Sequence, residues 1–191
     1  MLKSKIASVI LLSGLSVGVF AKGPSWDYVD VGYLVVKTDS QASILNDADI
    51  TGIKVTLSKE LSHEFYTDAS YDDVEDDNIS LKELSVGIGY NHKITNKSDA
   101  FVGVGFELEK EKSSGVTRED AGYSVNVGFR NKTFSWLELS TKIKYEKVTD
   151  DSQVGLTLGA QFVFTDALSV GVGYDLKENE ERAFAGIRYT F

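Results

Sequence analysis

Five copies of one short pattern, Val-x-(Val or Ile)-Gly-(Tyr or Phe), recur along this chain. The copies are Val29–Tyr33, Val86–Tyr90, Val102–Phe106, Val125–Phe129 and Val170–Tyr174. Side chains of a β-strand alternate between two faces, so each copy has an aliphatic face that ends in an aromatic ring. The opposite face carries glycine, Asp or Asn. A soluble sheet would turn its bulky face into a packed core, whereas this pattern predicts a barrel whose bulky face contacts lipid.

The same alternation continues through the rest of the chain, without the 3.6-residue spacing of a helix. Ile53, Val55 and Leu57 share one face of the second strand, and Lys54 and Thr56 share the other. The predicted strands are residues 26–37, 50–61, 65–72, 79–92, 99–112, 119–131, 134–147, 153–164, 168–175 and 182–191. Most reach the roughly 9–11 residues that a tilted membrane strand needs. The fold class predicted is all-β, an antiparallel up-and-down transmembrane β-barrel, with ten strands.

The predicted connections alternate in length and character. Tight turns are expected at residues 62–64, 93–98, 132–133 and 165–167. Mostly longer and more acidic loops are expected at residues 38–49, 73–78, 113–118, 148–152 and 176–181. Short turns on one side and longer loops on the other are typical of bacterial outer-membrane barrels. Both termini fall on the short-turn side, which predicts that they are periplasmic.

Glycine positions support this assignment of faces. Of the 17 glycines, 13 lie in predicted strands, and all 13 are on the face opposite the aliphatic residues. The interior of a small barrel has little space. Inward glycines would leave room there for neighbouring long side chains and for water.

The inward face also carries charged residues of both signs. They are Asp30, Lys54, Asp68, Glu83, Glu107, Arg130, Glu138, Lys142, Lys144, Arg182 and Arg188. Buried charges must be paired or hydrated. We therefore expect salt bridges across the lumen that largely plug it; the alternative is that many of these residues lie near strand ends in open water.

Outward-facing aromatic residues are predicted to form two membrane belts, one at each lipid–water interface. The predicted members are Tyr33, Tyr90, Phe106, Phe129, Tyr145, Phe162, Phe164, Tyr174, Tyr189 and Phe191. Those at the ends of descending strands, together with Tyr189 and Phe191, are expected at the periplasmic interface. The others are expected at the outer interface.

The N-terminus has the features of a secretory signal. Lys3 and Lys5 precede an uncharged apolar run over residues 6–20, which is shorter than the roughly 20 residues of a membrane helix. We expect residues 1–21 to be a cleaved signal peptide and residues 22–191 to form a single barrel domain.

Composition narrows the function classes further. Removal of the signal leaves 18 basic against 29 acidic residues and moves the formal net charge from -9 to -11. That excess argues against nucleic-acid binding, which needs a cationic face. The chain has no Cys, so a disulfide or a thiolate metal site is excluded.

The chain ends in Ile187-Arg188-Tyr189-Thr190-Phe191. A terminal Phe preceded by apolar or aromatic residues at alternate positions resembles the C-terminal signature of bacterial outer-membrane β-barrels. In size the chain is similar to the small barrels of the OmpX, Ail and OmpA transmembrane type, which have eight strands, so eight is the alternative to ten. The resemblance implies a Gram-negative outer membrane, contact with its lipid and lipopolysaccharide, and recognition of the last strand by the barrel assembly machinery.

An acidic run provides weak candidates for metal ligands, namely Asp72, Asp73, Glu75, Asp76 and Asp77. Carboxylates suit Ca²⁺ or Mg²⁺, but the run lacks the spacing and the glycine of an EF-hand, and a hydrated loop tip is the favoured interpretation. Enzymatic barrels place a His near the outer end, whereas His63 and His92 are predicted to be periplasmic. We therefore predict no metal, no cofactor, no catalytic residue and no enzymatic activity.

Three functions remain open from the sequence. The first is a structural or surface-interaction role, in envelope integrity, adhesion or contact with a host or phage through acidic extracellular loops, whose ligand the sequence does not identify. The second is a narrow, low-conductance channel for small solutes or ions. The third is a role in envelope stress or signalling, in which the barrel is only a carrier. The competing architecture is a soluble lipid-binding barrel, which would need its aliphatic face inward.

Overall fold

A computed structural model of the protein describes residues 23–38, 49–76, 79–113, 115–149, 151–178 and 180–191. Ten strands cover most of them: β1 Tyr28–Thr38, β2 Asp49–Glu60, β3 Phe65–Asp76, β4 Ile79–Thr95, β5 Ser98–Ser113, β6 Val116–Phe134, β7 Leu137–Val148, β8 Asp151–Val163, β9 Leu168–Leu176 and β10 Glu180–Thr190. Each strand pairs antiparallel with its neighbours in the chain, and β1 pairs with β10 to close the barrel. The prediction of a ten-stranded up-and-down barrel is confirmed, and the eight-strand alternative is wrong. In the part of the chain that the structure describes, no helix is long and apolar enough to cross a membrane.

Both chain ends of the barrel lie at one edge, because Tyr28 of β1 pairs with Thr190 of β10. We call this edge the terminal end and the opposite edge the loop end. The strands extend into most of the predicted long loops, so that the expectation for residues 73–78, 113–118, 148–152 and 176–181 is wrong. The strands reach Asp76, Ser113, Val148 and Leu176 at this end, and the next strands begin at Ile79, Val116, Asp151 and Glu180. Residues 39–48, from the other predicted loop, lie outside the described residues.

Strand β3 illustrates why the strands run further than the acidic composition suggested. Asp73, the first residue beyond the predicted strand, pairs with Lys82 of β4 at 2.9 Å, and Val74 is fully buried in an apolar cluster. Both side chains are therefore satisfied by a strand conformation, and β3 pairs with β4 as far as Asp76.

The outer surface of the barrel is aliphatic. Val31, Val86, Val104, Val127 and Ile187 are each about half exposed on it, with fractions between 48% and 56%. A soluble lipid-binding barrel would bury these side chains, so that alternative is wrong. Exposed apolar area of this extent needs a hydrocarbon environment.

Inward glycines allow large side chains to lie flat against the inner wall. A Cβ added at Gly89 would lie 2.3 Å from Tyr66 Cζ, and one at Gly128 would lie 2.3 Å from Phe101 Cζ. Any larger residue at these two positions would displace the ring. The glycines therefore set where aromatic rings can enter the lumen.

Candidate functional site in the barrel lumen

The inward charged residues surround one cavity of about 260 Å³. Ten of the eleven residues predicted for the lumen line it: Lys54, Asp68, Glu83, Glu107, Arg130, Glu138, Lys142, Lys144, Arg182 and Arg188. The eleventh, Asp30, is buried and pairs with Arg188. The wall holds four further charged residues that the lumen prediction omitted: Asp72, Glu146, Asp175 and Lys177. The alternation of faces was the signal that could have found them, since Asp175 shares the phase of Gly173 and Glu146 that of Lys144.

A loop-end layer of ion pairs centres on Arg182 of β10, which is 4% exposed. Its guanidinium contacts Asp72 of β3 (Nη1 to Oδ2, 3.2 Å), and it also pairs with Glu83 of β4 and Glu180 of β10. Lys54 Nζ donates to Asp72 Oδ2 at 2.9 Å. Strands β1, β2 and β3 lie between β10 and β4 on the shorter path around the barrel. The Arg182–Glu83 pair therefore crosses the lumen.

The layer continues towards β7 and β5. Lys177, in the turn after β9, contacts Glu146 of β7 at 2.8 Å and Glu180 at 3.6 Å. Lys144 Nζ lies 2.9 Å from both Glu146 and Glu107. Because Glu180 also pairs with Arg182 of the first group, the loop-end layer is one connected network from β2 round to β5.

Lys177 is held in its charged form by this network. Burial and the nearby Arg182 guanidinium lower its pKa, but the carboxylates of Glu180, Glu146 and Glu83 outweigh them. The net effect raises the pKa of Lys177 above its ordinary value. The ammonium is therefore a permanent charge at physiological pH.

A terminal-end layer lies at the other end of the cavity. Arg188 of β10 donates two hydrogen bonds to Asp30 of β1, each 2.7 Å long. Arg188 Nη1 also lies 3.7 Å from Glu138 of β7, which accepts hydrogen bonds of 2.9 and 2.7 Å from Arg130 of β6. The Arg188–Glu138 contact spans β8 and β9. This layer too joins distant strands across the lumen.

Below this layer an aromatic plug, formed by Trp26, Tyr66 and Phe101, fills the terminal end. Trp26, which precedes β1, stacks on Tyr66 of β3 with 4.1 Å between ring centroids and meets Phe101 of β5 edge-on at 5.3 Å. Its Nε1 donates to Asp99 at 3.0 Å, and the Arg130 guanidinium lies 4.5 Å from its ring centroid. The segment before β1 therefore folds into the lumen and occupies the space between β3, β5 and β6.

An apolar cluster of Leu34, Val36, Ile50, Val74 and Leu81 occupies the loop end on the side of β1 to β4. These inward side chains are between 0% and 1% exposed. Sequence reasoning predicted a polar interior and missed this cluster, although its members share the inward phase of the glycines and charged residues on their strands. The loop end is thus closed by apolar contacts on one side and by ion pairs on the other.

The acidic run is divided between the two faces of β3. Asp72 points into the lumen, whereas Asp73 points outward and contacts Lys82 at 2.9 Å. The described part of the chain contains no group of three or more acidic, His or Cys side chains placed to hold a metal ion. Asp77 lies outside the described residues, and Glu75 and Asp76 are exposed.

The two histidines lie at the terminal end. His63 is in the turn between β2 and β3, and His92 is near the end of β4; both are exposed. The acidic residues of β3 lie towards its opposite end. The strand pairing therefore keeps both imidazoles away from those carboxylates.

Outward-facing aromatic rings contact one another near the terminal end. Trp136 stacks on Phe162 at 6.3 Å, and Tyr189 stacks on Phe191 at 6.4 Å. Of the ten predicted belt residues, Tyr33, Phe106, Tyr145, Phe162, Phe164, Tyr174, Tyr189 and Phe191 are between 37% and 68% exposed. The remaining two, Tyr90 and Phe129, are half-buried.

A closed antiparallel barrel with an aliphatic exterior and a charged interior defines a class, the small transmembrane β-barrels of the bacterial outer membrane. The chain matches no protein-family model and no curated protein. Its fold is similar to that of a solved NanC porin, with 8% sequence identity, 85% of this chain and 100% of that chain covered, and a TM-score of 0.57.

Other solved barrels are similar at lower scores. The KdgM porin shows 10% identity, covers 85% of this chain and 99% of its own, and has a TM-score of 0.48. The attachment invasion locus protein Ail of Yersinia pestis shows 15% identity, covers 86% and 97% respectively, and has a TM-score of 0.43. At such identities the similarity is one of fold.

Proposed function

We propose that the protein is a structural and surface-interaction barrel of the outer membrane whose lumen is closed to solutes. The observation that carries this proposal is the pair of ion-pair layers that cross the lumen, one through Arg182 and Glu83 and one through Arg188 and Glu138. Each layer links strands that lie on opposite sides of the barrel. An ion would have to break them to pass.

The aromatic plug supports the same conclusion at the terminal end. Trp26 is 5% exposed and is held by ring contacts with Tyr66 and Phe101, a hydrogen bond to Asp99 and the Arg130 guanidinium. A ring held on so many sides excludes hydrated ions from that mouth.

Planar-bilayer recording tests the closed lumen. The wild-type protein should give no reproducible ohmic steps. Trp26→Ala should also stay closed, because both ion-pair layers are intact, whereas Trp26→Ala combined with Arg182→Met and Arg188→Met should give ohmic steps in the same bilayer. Reproducible steps from the wild-type protein would refute the proposal and establish a channel.

A narrow channel is the second candidate, and the 260 Å³ cavity is the observation that favours it. Inward Gly87, Gly105, Gly155 and Gly159 line that cavity and leave space between the two layers. Seven basic and seven acidic residues line it, so such a channel would show little preference for anions or cations. The reversal potential in a salt gradient would measure this preference.

The surface role is proposed for the rim of the loop end. Arg118, Lys110 and Glu119 on β5 and β6 are exposed there, with side-chain fractions of 44%, 51% and 65%. Charge reversal of these residues should change binding to host cells or phage while the barrel remains folded. Lys59, equally exposed at the terminal end, provides the control, and its reversal should leave binding unchanged.

The proposal also covers how the chain is exported, oriented in the membrane and assembled. We infer that residues 1–21 are a cleaved export signal, that the terminal end faces the periplasm and that Phe191 is read by the assembly machinery. The outer aromatic and aliphatic band would contact membrane lipid and lipopolysaccharide. Protease or thiol-reagent access to a cysteine placed at each end of the barrel in intact cells would test this orientation.

We also propose that the barrel is not an enzyme. The exposed His63 and His92 lie at the terminal end, whereas Asp72, Asp73, Glu75 and Asp76 lie towards the loop end of β3. Neither imidazole therefore has one of these described carboxylates as a partner. Assays with ester, phospholipid and peptide substrates should show no difference between the wild-type protein and the His63→Ala/His92→Ala variant.

A further inference from the structure

Three charged side chains on the cavity wall have no ion pair, although the other eleven do. Among the described residues these three are Lys142, Asp68 and Asp175. A buried charge is costly unless a partner, water or a ligand satisfies it. The three residues therefore mark the part of the wall that is available to a bound molecule.

Lys142 and Asp175 lie on one side of the cavity. Lys142 of β7 is paired across the sheet with Thr157 of β8, which is paired with Asp175 of β9. Two strand spacings of about 4.8 Å place the Cα atoms of Lys142 and Asp175 roughly 10 Å apart. The Thr157 side chain hydrogen-bonds to Asp175, yet Asp175 Oδ1 is buried without any partner among the described residues.

Asp68 lies across the lumen from them. Three strands separate β3 from β7 on one path around the barrel, and five separate them on the other. Its carboxylate lies against the glycine surface of β4, where a Cβ added at Gly87 would be 3.1 Å from Asp68 Oδ1. Asp68, Lys142 and Asp175 all line the same cavity.

We propose that the cavity binds a small molecule with two cationic groups and one carboxylate, the charge pattern of a basic amino acid. Its carboxylate pairs with Lys142, and its two cationic groups pair with Asp175 and Asp68. The ligand's single net positive charge balances the net negative charge of these three residues.

The size of the cavity agrees with this class of ligand. Its 260 Å³ lies just below the roughly 300–1,000 Å³ typical of small-molecule pockets, so a single amino acid fits and a peptide does not. Binding goes beyond the proposed structural role and holds whether or not the lumen conducts. A failure of the binding experiment and a failure of the bilayer experiment are therefore separate results.

Refolding the protein into detergent micelles over a range of radiolabelled L-lysine concentrations tests the proposal, because the ligand can then bind before the lumen closes. Gel filtration removes the free ligand, and the radioactivity that elutes with the folded protein measures binding. L-norleucine, which lacks the side-chain ammonium, and 1,5-diaminopentane, which lacks the carboxylate, should each bind at least tenfold more weakly. Saturable binding of L-lysine at one site is the expected result. No binding of L-lysine, or equal binding of all three probes, would overturn the proposal.

Variants locate the site. Lys142→Met should weaken L-lysine binding at least tenfold. Asp68→Asn should weaken it by a similar factor, and this second variant tests the site if Lys142→Met does not fold. Lys147→Met, on the outward face of the same strand, is the matched control and should bind as the wild type does. Equal binding by Asp68→Asn and the control would show that L-lysine does not contact Asp68 and would overturn the proposed site.

Discussion

Replacing Arg182 with Met measures how much the loop-end layer stabilises the barrel. The guanidinium is 4% exposed and pairs with Asp72, Glu83 and Glu180. Met retains much of the length of the side chain and removes the charge. Asp72 and Glu180 each keep a lysine partner, but Glu83 loses its one ion pair among the described residues. Leaving a charge buried and unpaired costs about 3–5 kcal/mol. With one carboxylate orphaned, we expect a loss of about 3 kcal/mol in the free energy of unfolding.

The matched control is Arg118→Met at the rim. Arg118 also pairs with a carboxylate, that of Asp120, but its side chain is 44% exposed. Exposed pairs contribute about 0–1 kcal/mol, so this variant should lose less than about 1 kcal/mol. Urea unfolding in lipid vesicles, followed by tryptophan fluorescence and by heat-modifiable migration on a gel, gives both values.

A second substitution separates the orphaned charge from lost packing. In the Arg182→Met background, Glu83→Gln removes the unpaired carboxylate and should recover part of the lost stability. If Arg182→Met costs no more than Arg118→Met, or if Glu83→Gln in that background gives no recovery, the ion pairs of the lumen do not stabilise the barrel.

Three further predictions concern the two faces of the wall. Brominated lipid should quench the fluorescence of Trp136, which is 52% exposed on the outside, when Trp26 is replaced by Phe. When Trp136 is replaced by Phe, the same lipid should not quench Trp26, which is only 5% exposed. Equal quenching of the two tryptophans would place Trp26 outside the lumen. Gly52→Ala should cost about 1–3 kcal/mol in urea unfolding, because its Cβ would lie 1.9 Å from a backbone oxygen of β3. Gly173→Ala, whose Cβ would have 3.5 Å of clearance, should cost less, and the reverse order would contradict the close approach. Val104→Lys puts a charge on the outer face at a residue that is 53% exposed and should cost about 2–4 kcal/mol in lipid vesicles, whereas a soluble surface would tolerate it.

The strand number and the closed architecture could be predicted because they depend on a pattern that repeats along the chain. Val86, Ile88, Val102 and Val104 alternate with glycines, and period-two alternation assigns a face to every residue of a strand. The inward placement of charges such as Arg182 follows from the same rule. Which charges pair cannot be predicted in this way, because Asp72 and Glu83, two partners of Arg182, lie on strands that only barrel closure brings near β10.

The lengths of the loops and the contents of the two ends could not be read from alternation. The acidic run predicted a loop from residue 73, but Asp73 pairs with Lys82 of β4 and Val74 is buried in the apolar cluster, so β3 continues to Asp76. Trp26 precedes the first strand and has no periodic context, so nothing local indicates that it enters the lumen. Leu34 and Val36 share the glycine phase, and their burial depends on Leu81 of β4.

The pair between Asp30 and Arg188 lies on the joint between the first and last strands, where the two residues are directly opposite. A closure shifted by two residues would preserve the in–out alternation of every side chain and would therefore be invisible to hydrophobic patterning. It would, however, place Arg188 opposite Tyr28 or Gly32 and separate two charges in a space that water reaches poorly. The Asp30–Arg188 pair therefore favours the observed register between β1 and β10 over a register that is shifted by two residues. A chain that lacked this pair could form the same strands and still close in the wrong alignment.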